Sequence, residues 1–224
     1  MKFTINLLLF FFALNALAQR TIDREVGDFN EVKVYDLIEV NLIKSDENRI
    51  LIKGNNTEYI IFTNKNGILK LRMQLDKKFT GEDTFIEVHY TDLDIIDANE
   101  GARVICNEMI HKTKIELRAQ EGAKITIAMD VAVVDFRAVT GGIIEASGLA
   151  ENQTVVLNTG GIFEGRDLRS KIADVKISAG GEAEVFASDR MDVNVKAGGD
   201  VTVYGNPKEV NQKTFVGGSV RIMD

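Results

Sequence analysis

The chain has 224 residues, a net charge of −7, one cysteine, one proline and no tryptophan. A nucleic-acid surface is basic, so this acidic balance excludes nucleic acid as a natural partner, and a lone cysteine excludes an internal disulfide or a cysteine-based metal centre. Its 19 glycines fit β-structure with glycine turns better than a helical protein.

Residues 1–18, MKFTINLLLFFFALNALA, read as a secretory signal peptide. Lys2 is the positive start, Leu7 to Leu14 the apolar run, and Ala16-Leu17-Ala18 a small-x-small cleavage site, with the cut before Gln19. A membrane-spanning helix needs about 18–25 apolar residues, and this run is shorter. No cysteine stands at the cleavage point, which argues against a lipid anchor. The expected location is outside the cytoplasm: periplasm, cell surface or medium.

Residues 19–224 read as one domain, with a less regular opening section (20–91) and regular coils (92–224). The opening segment VKVYDLIEVNL (32–42) alternates on both sides of Leu37-Ile38. RILIKG (49–54), EYIIFTN (58–64), GILKLRMQL (67–75) and TFIEVHYTDLDIIDA (84–98) read as strands joined by polar turns such as SDEN (45–48) and NKNG (64–67). LDKKFTGED (75–83) is the most loop-like stretch.

From there a glycine mark returns at a nearly constant interval: Gly101, Gly122, Gly141, Gly160, Gly180, Gly198 and Gly217. A fixed period near 20 residues is the signature of a repeat architecture whose units bury a core only by stacking. Each copy reads apolar-x-apolar-x-small-Gly-Gly-x-apolar-x-apolar, as in VKISAGGEAEVF (175–186) and VNVKAGGDVTVY (193–204). Period-2 alternation on both sides of the glycines means strand, corner, strand. The pairs Gly141-Gly142, Gly160-Gly161, Gly180-Gly181, Gly198-Gly199 and Gly217-Gly218 are therefore structural turns. Val175, Ile177, Ala183, Val185, Val193, Val195, Val201 and Val203 point inward on this register, and Lys176, Ser178, Glu182 and Glu184 outward. The expected fold is all-β, a parallel β-solenoid; a β-sandwich also has many short strands but brings hairpin turns and irregular spacing.

The signal peptide, the opening DFNEVKVYDLIEVNLIK (28–44) and the repeated Ala/Thr-Gly-Gly-x-apolar units together resemble the head GIN domain family. These are exported proteins, frequent in Bacteroidetes-type bacteria and described as heads of auto-transporter adhesins. The resemblance implies a right-handed β-helical fold and a surface role, and it supplies no catalytic residue. The stalk and membrane anchor of a full auto-transporter are not recognisable in the chain.

His89 and His111 belong to no nucleophile motif, and the zinc-protease, phosphate-loop and EF-hand patterns are absent. The glycine pairs are not followed by the helix of a dinucleotide loop, and they lack the offsets of the calcium nonapeptide. Stacking does create columns. Outward residues three after the second corner position are Ile105, Thr126, Glu145, Glu164, Glu184, Thr202 and Arg221. Three stacked glutamates repel, which calcium, an oxygen-liganded cation, would relieve; a solvated face whose side chains splay apart is the plainer reading. Glu116/Arg118, Asp135/Arg137 and Asp174/Lys176 read as self-compensated pairs. Val139, Ile143, Val156 and Ile162 face outward in adjacent coils and are a candidate interface for a partner or a second copy, unless part of the opening section covers them. Cys106 aligns with inward positions and reads as a core residue.

Asp92, Asp94 and Asp97 invite comparison with β-helical polysaccharide lyases, but the turns are short and Arg103 belongs to another column. FVGGSVRIMD (215–224) closes in a strand without a recognisable cap, so the final coil covers itself or another chain covers it. The functional expectation is a non-enzymatic envelope module that binds a glycan or protein without a required cofactor. A structural or self-assembling envelope component is the alternative, and a carbohydrate-active enzyme the third.

Overall fold

The computed structural model describes residues 21–223; the leader and its cleavage site lie outside them. About seven turns of about 19 residues wind into a parallel β-solenoid. The opening section carries β1 (Ile22–Glu25), β2 (Glu31–Val34), β3 (Glu39–Lys44), β4 (Arg49–Gly54), β5 (Ile60–Lys65), β6 (Ile68–Met73), β7 (Thr84–Tyr90) and β8 (Ile95–Ala98). Then come β9 (Arg103–Gln120), β10 (Lys124–Val139), β11 (Ile143–Asn158), β12 (Gly161–Gly165), β13 (Leu168–Ile177), β14 (Gly181–Phe186), β15 (Arg190–Tyr204) and β16 (Glu209–Ile222).

The glycine period sets the register. Thr126 on β10 lies opposite Ile105 below and Glu145 above, and every coil repeats that step in parallel ladders. All eight inward residues named from the 175–186 and 193–204 copies are at most 3% exposed. Each fully buried valine or isoleucine of such a column contributes roughly 1.5–3 kcal/mol relative to exposure. Phe136 and Phe163 fill the middle of the stack, with ring centroids 4.6 Å apart.

Two kinds of corner hold the coils. At Glu100-Gly101, Glu121-Gly122, Thr140-Gly141 and Thr159-Gly160 both residues take positive φ, so the left-handed pair sits one residue ahead of the glycine pair. The next residue is the point of close approach: a Cβ on Gly161 would stand 2.0 Å from the Ala138 carbonyl oxygen. At Gly198-Gly199 the glycines themselves carry the positive φ, 59° and 133°. The opening coil makes the first kind of corner without glycine, through Asp36 (φ 61°) and Leu37 (φ 64°). Leu37 is accommodated because Gly101 above it lacks a side chain; a Cβ there would meet Leu37 Cδ2 at 2.4 Å.

The opening section departs from the parallel rule. β4 runs antiparallel to β7, β1 to β4, and β5 to β6. The β5–β6 hairpin turns at Asn66-Gly67, both with positive φ, as a two-residue hairpin requires. The solenoid thus has two unlike poles, one finished by antiparallel strands and one carrying β16, which among the described residues pairs β15 alone.

Candidate functional site

The face that follows each glycine corner carries the glutamate column. Glu145 is paired with Glu164, Glu164 with Glu184, Glu184 with Thr202 and Thr202 with Arg221. The column exists because successive coils repeat without an offset, so like positions stack about 4.8 Å apart. Beside it runs a second ladder, Arg103, Lys124, Ile143, Ile162, Glu182, Asp200 and Ser219. Reading that second column, two residues nearer the corner, would have shown its charges; the single-column reading missed them.

The second ladder changes the electrostatics. Lys124 Nζ lies 2.9 Å from Glu145 Oε2 and 3.8 Å from Glu164 Oε2. One ammonium therefore relieves the repulsion at the start of the glutamate run. Its hydrogen bond, with a further one donated by Thr126 Oγ1, holds the Glu145 carboxyl below the usual glutamate range against the opposing effect of partial burial. Glu184 accepts a 3.4 Å hydrogen bond from the Tyr204 hydroxyl, and the Arg166 guanidinium sits 4.8 Å from the Tyr204 ring centroid. Glu182 and Asp200 extend the carboxylates sideways, so the acidic half of the face is two columns wide.

A trough of about 350 Å³ follows Ile105, Thr126, Glu145 and Glu164 and is also lined by Arg166 and Asp167. A second hollow of about 410 Å³ lies between Glu164, Glu184, Asp200 and Arg221. The coil containing β12 and β13 breaks at an explicit turn, Arg166-Asp167, where β9, β10 and β11 continue as strand, β9 with a bulge against β10. Carboxylate and hydroxyl oxygens that accept hydrogen bonds, flanked by cations that donate them, can recognise a polyhydroxylated or polar ligand. Among the described residues no group of three or more histidine, cysteine, aspartate or glutamate side chains is placed to hold a metal ion.

The four apolar residues do not form one patch. Ile143 and Ile162 stack directly, both half-buried. Val139 and Val156 lie before the corner; Val139 is only 9% exposed, between Gln120 and Asn158, and Val156 stands between Arg137 and Lys176. The chain turns between the two pairs, so alternation alone groups residues that the corner separates.

Charge pairing follows the alternation in two cases of three. Arg118 binds Glu116 at 2.7 Å and Lys176 binds Asp174 at 2.6 Å. Asp135 instead takes Lys114 of the neighbouring coil at 2.9 Å. The acids near the start of the coils are neutralised: Lys112 bridges Asp92 and Asp94, and Lys33 reaches Asp97 at 2.9 Å. Arg103 stands in the Lys124 ladder, away from all three. Cys106 is 5% exposed in the core, where burial pushes its thiol pKa up.

A family described as "Putative auto-transporter adhesin, head GIN domain" matches residues 28–207, from the segment before β2 to the turn before β16. The chain belongs to the head GIN domain family. No curated protein matches it. Solved structures do resemble this head GIN domain. A "putative adhesin" of Bacteroides fragilis shares 16% identity at a TM-score of 0.85, with 93% of this chain and 98% of that one covered. Another from Parabacteroides distasonis has 19% identity and a TM-score of 0.73, covering 92% and 97%. A "putative lipid binding protein" from the same species has 16% identity and a TM-score of 0.68, with the same coverage. At these identities the likeness shows the fold of the head GIN domain and not its ligand. The family description points to an exported or cell-surface protein, and among the described residues no helix is long and apolar enough to cross a membrane.

Proposed function

We propose that this head GIN domain is a non-enzymatic, adhesion-type module of the bacterial envelope that binds a glycan along the Glu145–Glu164–Glu184 face. The observation that carries the reading is the ladder itself: three carboxylates in register on a rigid sheet, beside a trough, with Lys124 and Arg166 as donors at its edges. Sugar hydroxyls donate to carboxylates and accept from cations, and a scaffold that does not reorganise loses little entropy on binding. Ile143 and Ile162, stacked next to the column, offer an apolar strip for the less polar face of a sugar ring.

Neutralisation by Lys124 favours direct contact over a bridging cation. The structural neighbours are described as "putative adhesin" and "putative lipid binding protein". The test is an array of bacterial and host glycans, probed with calcium and again with chelator. Retention that persists in chelator and falls at least tenfold in Glu164→Gln supports the reading. Retention lost in chelator transfers the role to a bound cation. Silence on every glycan, with capture of an envelope protein instead, replaces the glycan by a protein ligand.

A further inference from the structure

We propose that two copies of this chain join through β16, antiparallel, across a two-fold axis at Asn211. β16 has 14 residues and, among the described residues, pairs on one side only, to β15. Its other side presents unpaired backbone donors and acceptors, the natural template for another strand. Exposed apolar side chains stand at this pole: Phe215 is 88% exposed, Val216 59%, Ile222 50% and Met223 46%. The pairing with β15 places Val210, Gln212, Thr214, Val220 and Ile222 over the inward residues of the coil below. Gln212 and Thr214 interrupt the apolar layer in the middle of the strand, but Val220 and Ile222 continue it, and the described residues place nothing over them.

The occupant is identified by charge. The outward residues Glu209, Asn211 and Lys213 read acid, amide, base, with opposite charges equally spaced about Asn211. Antiparallel pairing centred on Asn211 joins residues 209–213 of the two copies, the first part of β16, and keeps inward residues opposite inward residues. It also sets Glu209 of each copy against the partner's Lys213, twice in one interface. Directly opposite side chains have Cβ atoms about 4.5–5.5 Å apart, close enough for an ion pair. Continuing the stack head to tail would need the opposite pole, and that pole is finished by antiparallel β1, β4 and the β5–β6 hairpin. An isologous contact therefore closes at two copies and does not grow into a fibre. The contact lies at the end of the stack, away from the middle of the trough face.

Sedimentation equilibrium of the purified chain over a concentration series tests this. The wild type is expected as a dimer that dissociates on dilution. Lys213→Glu and Glu209→Lys each place like charges opposite one another twice, and each should weaken the dimer tenfold or more at low salt. The double variant, Glu209→Lys with Lys213→Glu, restores both pairs in reversed order and should recover most of the loss. All these side chains are exposed, and unchanged circular dichroism and melting temperature would show that the variants remain folded. A wild type that stays monomeric to about 100 µM, a single variant as dimeric as wild type, a double variant no better than the singles, or growth beyond two copies would each overturn the proposal.

Discussion

Replacing Gly161 with alanine would set a Cβ 2.0 Å from the Ala138 carbonyl oxygen and 2.6 Å from its carbonyl carbon. Real Cβ contacts do not fall below 3.0 Å, so two backbone segments must separate by roughly 1 Å, and neither can swing aside as a side chain could. Overpacking of this kind costs about 1–3 kcal/mol. The shift also strains the ladder hydrogen bond that Ile162 N donates to Gly142 O at 2.9 Å, worth another 0.5–1.5 kcal/mol or so. Together they cost about 1.5–4.5 kcal/mol. The adjacent Gly160 is the control: a Cβ there meets nothing within 4 Å, but its φ is +74°, which costs an alanine about 1 kcal/mol. In a chain of this size each kcal/mol lowers the melting temperature by about 2–4 °C. Thermal melts and urea titrations of Gly161→Ala and Gly160→Ala should thus separate by several degrees, with Gly161→Ala the less stable. Equal losses, or a Gly161→Ala within about 1 kcal/mol of wild type, would refute the close-approach account of the second corner position.

Burial and the neighbouring Asp36 push the Glu100 carboxyl above the ordinary value of 4.5, and Lys78 only partly opposes them. A carboxyl whose folded pKa is raised binds its proton more tightly in the native state, so stability falls as pH rises through the interval between the unfolded and folded values. Glu100→Gln keeps the hydrogen-bonding shape without the charge; it should flatten that dependence and melt higher than wild type at neutral pH. A wild-type melting temperature that rises over the same interval in step with Glu100→Gln would sink the assignment. Cys106, buried with a raised thiol pKa, should react with a thiol reagent only at the rate of unfolding, and rapid labelling of the native chain would show that its column faces outward.

Much of the architecture was legible because a solenoid is nearly one-dimensional. The spacing of the glycines aligns Thr126, Glu145, Glu164 and Glu184, and alternation assigns Val193 and Val203 to the core and Glu182 to water. The strand at 49–54 and the Asn66-Gly67 turn were equally plain, since turn chemistry and side-chain alternation are properties of a few neighbouring residues. Coil length, register and the composition of each column therefore follow from the order of residues along the chain. What each column meets depends on the packing of neighbouring coils. Lys124 reaches into the glutamate run from a neighbouring ladder, Asp135 takes Lys114 from the next coil, and a corner parts Val139 and Val156 from Ile143 and Ile162. The tertiary structure also placed Leu37 in a left-handed corner, over the space left by Gly101, and finished one pole with antiparallel strands. Each of these depends on the reach of a long side chain or on how a corner redirects the strand. Such distances cross from coil to coil, and a repeat pattern, which orders residues along the stack, carries no measure of them.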